Sequence, residues 1–342
     1  MPSGFRSRLE VPIFGEIPGA QAAYVGTSRL ELNRSGSYAA GGTTPTVSEL
    51  LALLSALCSH GTSRPAIRIM IRPRGPPLPS PKSNPKPPTP TAESPKPNLQ
   101  AQTAHQQQTF QDFIYTPAEL ATMAASIREF TSSGLLSPEL GDGFVFGVLR
   151  KPLPGPPSRK GWGEAAVEID IEQNRRLVEL ARPFRCVLHR AVDDVFSSLL
   201  CLTGSEGGSG GVDAGDGDGV RDGDGRKGEQ VIEAGVDEVM GQVRSCGFDG
   251  MLTSGGKGRA VDHIGCLKAV VVAGGRQGVE VIVGGGVRSG NLRRLMDGLG
   301  DVGGSVWYHS SCLEVGAEVG ERFDVDEAKD LIDGLKNAGL GQ

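Results

Sequence analysis

Cys186-Val187-Leu188-His189-Arg190-Ala191-Val192-Asp193 is the stretch on which the architecture turns. Cys186, Val187 and Leu188 form a short apolar run behind Pro183, and His189, Arg190 and Asp193 follow at once. A buried strand that ends in ionisable groups and runs into a helix is how an α/β barrel offers chemistry at the C-terminal ends of its strands. Ion pairs that merely close a strand end collect in such places too. The neighbouring segments decide between the two.

Upstream, the same unit recurs. Leu9–Phe14, Arg29–Leu32, Ala66–Ile71 and Phe144–Leu149 read as four strands. Helices are expected between them at Gly19–Val25, at Glu49–Leu54 behind a cap at Thr46 or Ser48, and from Thr116-Pro117-Ala118-Glu119 to Ser133. Glu172–Ala181 is a further helix, leading into the quoted strand, which is the fifth. Downstream, a helix is expected from Gln230 to Ser245, followed by strands at Phe248–Thr253, Val279–Val283 and Val306–His309. Helices at Val261–Ala273 and Asn291–Met296 separate these strands, and a capped helix from Asp324 to Ile332 closes the chain. Strands and helices alternating in this way predict one (β/α)8 TIM barrel spanning residues 1–342. A doubly wound open sheet is disfavoured, because no G-x-G-x-x-G follows the first strand.

Two runs interrupt the pattern. Residues 76–108 are rich in Pro, Ser, Lys, Thr and Gln, and residues 204–228 are nearly alternating Gly and Asp. Neither can bury enough apolar surface to offset its ordering entropy, so both are expected to be disordered inserts. The aspartates of the second run miss the EF-hand register and read as an acidic linker. These runs hold much of the chain's Gly 51 and Pro 23, which explains a hydrophobic content of only 38%. A net charge of −5 suggests no nucleic-acid surface. No signal-peptide core and no apolar run of membrane-spanning length is expected. The six cysteines are scattered without a C-x-x-C pair, as for reduced thiols in the cytoplasm, with the nucleus an alternative. The expected assembly is a homo-oligomer.

Alternation within each strand selects the side chains that can meet inside the barrel. Glu10 and Glu31 are charges set in apolar strands, and burying them requires partners, for which Arg72 and Arg190 are the candidates. With His189, Asp193, Ser254 and His309 they form a set suited to proton transfer on an anionic small molecule. The bland alternative is a satisfied polar layer over the core. Gly284, Gly285 and Gly286 follow the seventh strand, and Ser310 and Ser311 follow the eighth. Barrels often bind phosphate there, and glycine lets the backbone approach an anion closely.

Taken together, several motifs resemble the CutC copper-homeostasis family. They are Leu9–Val11, Arg29–Leu32, Gly41–Pro45, Met70–Gly75, Phe144–Leu149, His189–Asp193, Leu252–Gly255, Gly284–Leu292 and His309–Ser311, in the family's order. The resemblance covers most of the chain outside the inserts. It implies a TIM barrel, cytosolic copper handling and Cu(I) binding. The chain departs from the family at Pro12 and Asn33, where those proteins carry cysteines. Cu(I) is soft and prefers thiolate or thioether ligands. The ligands left are Cys312, His309 and Met70. Copper homeostasis and a barrel enzyme acting on an anionic metabolite are therefore the two functions to separate.

Overall fold

The computed structural model describes residues 7–58, 64–77, 112–152, 166–202, 224–300, 306–314 and 321–338. The strands are β1 (Leu9–Ile13), β2 (Arg29–Leu32), β3 (Ala66–Met70), β4 (Gly143–Phe146), β5 (Leu149–Arg150), β6 (Glu168–Ile169), β7 (Arg185–Leu188), β8 (Gly250–Thr253), β9 (Glu280–Val283) and β10 (Trp307–His309). Eight of them, all but β5 and β6, close into a parallel barrel in the order β1-β10-β9-β8-β7-β4-β3-β2. The expected TIM barrel is the observed fold.

The helices are α1 (Glu16–Tyr24), α2 (Val47–Cys58), α3 (Pro117–Ser132), α4 (Ile171–Ala181), α5 (Val192–Leu202), α6 (Asp224–Cys246), α7 (Ile264–Gln277), α8 (Ser289–Leu299) and α9 (Val325–Asn337). Their starts follow the local chemistry. Thr116 accepts from the Glu119 N–H while Glu119 reaches back to the Thr116 N–H, a reciprocal cap for α3. Thr46 and Glu49 do the same for α2. None of the described helices is long and apolar enough to cross a membrane.

Alternation along the strands divides the apolar residues into two bodies. Leu9, Val11, Leu30, Ile67, Ile69, Phe144, Cys186 and Leu188 face the helices and build the main core. Met70, Val145, Val187, Leu252 and Ile282 face inward with Trp307 against them, a thin apolar layer across the barrel. Each fully buried Leu, Ile or Phe contributes roughly 1.5–3 kcal/mol, so the outer annulus supplies most of the stability. Polar side chains occupy the interior on either side of the thin layer.

Two expectations need correction. The run Phe144–Leu149 is not one strand. At Gly147 an added Cβ would lie 2.6 Å from the Leu188 side chain and 2.9 Å from that of His189. There the chain leaves the barrel, and Leu149–Arg150 instead pairs antiparallel with Glu168–Ile169. The second insert also ends earlier than expected, since α6 already runs from Asp224. Residues 78–111, 153–165 and 203–223, which hold most of both inserts, lie outside the described residues.

Candidate functional site

Register brings three ionisable side chains together in the barrel interior. Glu10 on β1 pairs across to His309 on β10 and to Arg29 on β2. Glu31, two residues on from Arg29, shares its inward face. One ligating atom from each of Glu10, Glu31 and His309 lies within 4.8 Å of the others.

Glu10 is held from two sides. Its Oε1 is 2.9 Å from His309 Nδ1, and its Oε2 is 2.5 Å from Arg29 Nε. Arg29 also donates to Glu280 at 2.8 Å and sits over the Trp307 ring, 3.8 Å from its centroid. Burial alone would raise the Glu10 carboxyl, but the Arg29 charge and the His309 hydrogen bond hold it down at about 2. It is therefore ionised at neutral pH. Burial alone would lower His309, yet the Glu10 hydrogen bond and the Glu31 and Glu10 charges raise it. Glu31 is raised, chiefly by burial. Its Oε1 accepts from Asn33 Nδ2 at 3.1 Å, while its Oε2 and the Asn33 Oδ1 are buried without a hydrogen-bond partner. A carboxylate thus anchors one histidine nitrogen, next to a second carboxyl with raised proton affinity. That is the arrangement of an oriented acid–base pair.

His189, on the chain leaving β7, is the other histidine of the mouth. Its Nδ1 accepts from the Ala191 N–H at 3.3 Å, which assigns the proton of the neutral ring to Nε2. Nε2 is buried without a partner, and Phe113 packs on the ring with centroids 4.8 Å apart. Burial and the Arg72 charge push His189 down to about 3, so it is a neutral donor rather than a base of ordinary strength.

The remaining predicted residues are engaged in holding loops. Arg72 reaches the same end as His189, but its guanidinium donates to Ala40 O at 2.7 Å and Gly42 O at 3.1 Å and pairs with Asp112 at 2.9 Å. Arg190 donates to Asp193 at 2.7 Å, Ser254 Oγ at 2.7 Å and Gly258 O at 3.0 Å. Asp193 is buried, and it also accepts from Thr253 Oγ1 at 2.6 Å and the Ser254 N–H at 3.0 Å. Neither arginine partners Glu10; Arg29 does. Gly285 and Gly286 have φ of 97° and 71°, the left-handed backbone that glycine adopts freely, and Gly285 lies against Arg190. Gly284 faces inward beside Leu252 and His309. Ser310 donates to Val287 O at 2.7 Å, and Ser311 accepts from Arg288 at 3.1 Å.

Arg29, Asn33 and Phe113 carry parts of this site that sequence reasoning did not assign. Arg29 could have been found, because it lies two residues from Glu31 on the same face of the strand. Phe113 could not, since it arrives from a segment distant in sequence from His189.

Neither a protein-family model nor a curated protein matches the sequence. Among solved structures, the fold is similar to that of the copper homeostasis protein CutC from Streptococcus agalactiae, with a TM-score of 0.51 and 19% identity over 88% of this chain and 97% of that one. The aldolase QR15 matches with a TM-score of 0.43 and 10% identity over 99% of both chains. The 3-dehydroquinate dehydratase of Geobacillus kaustophilus matches with 0.42 and 13% over 98% of this chain and 97% of that one. At such identities the likeness is one of fold.

The CutC likeness raises copper as a ligand, and the residues present do not fit Cu(I). Glu10, Glu31 and His309 offer oxygen and nitrogen, where Cu(I) favours sulfur. Cys312 lies in the outer apolar core at 0% exposure, its thiol pushed up to about 12 by burial. Cys312 was expected beside His309 and Met70 as a candidate ligand, and its side chain packs in that core. Met70 does face the interior, packed among Val145, Val187, Leu252 and Ile282.

Proposed function

We propose that this barrel is an enzyme that moves a proton on a small polar molecule bound at its C-terminal mouth. The observation that carries the reading is the buried Arg29–Glu10–His309 chain with Glu31 beside it. Glu10 fixes the Nδ1–H tautomer and orientation of His309, leaving Nε2 as the nitrogen available for proton exchange. Glu31 is the second exchanging group. Asn33 Oδ1 and the His189 Nε2–H, both without protein partners, supply an acceptor and a donor for the bound molecule. A carbon acid next to a carbonyl, carried on an anionic metabolite, is the substrate class that such a pair serves.

The test is solvent exchange. A panel of keto acids and sugar phosphates is incubated with the protein in deuterated water and followed by proton NMR. One member should lose a C–H signal. Glu10→Gln, Glu31→Gln and His309→Gln should each slow that loss by about 10²-fold or more. No exchange across the panel, or exchange indifferent to all three variants, overturns the reading.

Copper handling in the cytoplasm is the second reading, favoured by the likeness to CutC and by the inward-facing Met70. Anaerobic Cu(I) titration separates the two. Weak binding that tightens on Asn33→Cys fits the acid–base reading. Tight stoichiometric binding that Met70→Leu abolishes would replace it.

A further inference from the structure

The opposite, N-terminal end of the barrel holds a cavity of about 620 Å³. Its charged lining is Arg8, Arg29, Arg68, Arg185, Asp249 and Glu280. The two acids are already occupied. Glu280 pairs with Arg29, which Glu10 holds from the other side. Asp249 accepts from the Cys186 N–H at 2.8 Å and pairs with Arg182 at 3.1 Å. Among the described residues, Arg8, Arg68 and Arg185 enter no ion pair.

Arg68 is the centre of this imbalance. It is 2% exposed, and its Nε and Nη1 have no hydrogen-bond partner. The fold makes room for its head group. Gly143 on β4 faces it, and a Cβ there would collide with Arg68 Nη1 and with the Arg185 backbone oxygen. An unpartnered buried guanidinium is costly. A glycine that admits it, beside two further unpaired arginines, is the construction of an anion site.

We propose that this cavity binds a small phosphate-bearing molecule, with Arg68 as its inner ligand and Arg8 and Arg185 closing on it from the rim. The volume falls in the range of pockets for small organic ligands, about 300–1,000 Å³, so a group the size of a sugar can accompany the phosphate. Two neighbouring observations agree. Burial and the Arg29 charge lower Arg68 to about 10 against the Glu10 and Glu280 charges, which raise it, and it stays protonated at neutral pH. Arginine guanidinium is also the group suited to holding phosphate oxygens. The cavity meets the acid–base site through Arg29, which lines it and ion-pairs with Glu10.

The test uses the full chain and inorganic phosphate as the probe, at constant ionic strength set with chloride. Thermal melting and calorimetric titration are the readouts. Phosphate should raise the melting temperature saturably, because it binds the native state alone. Arg68→Met should weaken phosphate at least tenfold and should melt higher than the native chain in chloride, since a buried unpaired charge is gone. Arg185→Gln, an exposed change, should weaken phosphate several-fold with the chloride melting temperature unchanged. Glu31→Gln at the mouth should leave phosphate affinity as it is. The proposal fails if phosphate has no saturable effect, if Arg68→Met binds it as the native chain does, or if Glu31→Gln removes the binding. Should Arg68→Met not fold, the Arg8→Gln, Arg185→Gln double variant decides: affinity must fall at least tenfold, and unchanged affinity overturns the site.

Discussion

His189 illustrates what burial does to a single side chain in this barrel. In the unfolded chain it titrates near 6.5, and in the folded chain at about 3. Between those values the unfolded state binds more protons, so stability rises with pH. The contribution is fully present above 6.5 and is lost as pH falls toward 3. Glu10, held at about 2, loses its own contribution between 4.5 and 2. The interval from 6.5 to 4.5 therefore separates the histidine from that carboxylate. We expect His189→Asn to flatten the fall in stability on acidification relative to the native chain, by up to about 1.4 kcal/mol per pH unit. Urea melts at pH 6.5, 5.5 and 4.5 measure this, and parallel pH profiles for both proteins would refute it. His189 was legible in the sequence as a mouth residue, because it ends an apolar strand. Its neutral state was not, because Arg72 and Phe113 reach it through the fold.

The segment between β4 and β5 depends on one buried amide. Asn174 on α4 accepts from the Val148 N–H at 3.0 Å and donates to Val148 O at 2.8 Å and Asp170 O at 2.8 Å. It stands in for a neighbouring strand where the chain leaves the barrel. Asn174→Ala would leave the Val148 N–H buried and unpaired, at about 1–3 kcal/mol, while Val148 O keeps the Asp170 N–H. Chemical denaturation should show a loss of about 1–3 kcal/mol, and no measurable loss would mean that water or a shifted backbone replaces the amide. The helix starts at Thr46 and Thr116 were legible, because a cap is a contact over three residues. The end of β4 was not. Phe144–Leu149 carries the apolar character of a longer strand, and only the approach of Leu188 and His189 to Gly147 ends it.

At the level of the chain, the barrel closes through register between β1 and β10, which join residues about three hundred positions apart. The closing contacts involve none of the residues of the two inserts. Loop-closure entropy grows slowly with loop length, so shortening either insert changes stability little. Deleting residues 78–107 and 204–222 should leave a helical circular-dichroism spectrum and a single cooperative melt. The second deletion stops short of α6. Loss of soluble, cooperatively melting protein would show that an insert contributes to the packed fold.

The sequence by itself determined the barrel and the residues that share a face in its third, fifth and eighth strands, because apolar alternation and helix caps are local properties of the chain. It also singled out Glu10 and Glu31 as charges set in apolar strands and His309 as the end of another. Which charges neutralise one another was decided only by tertiary structure. Glu10 could have met Arg72 or Arg190, and it meets Arg29 because the β1–β2 register sets them side by side. Arg72 and Arg190 are drawn instead to loop carbonyls and carboxylates that fold over the strand ends. Coulomb energy depends on distance through space, and distance through space across a closed barrel is not a property of any local stretch of sequence.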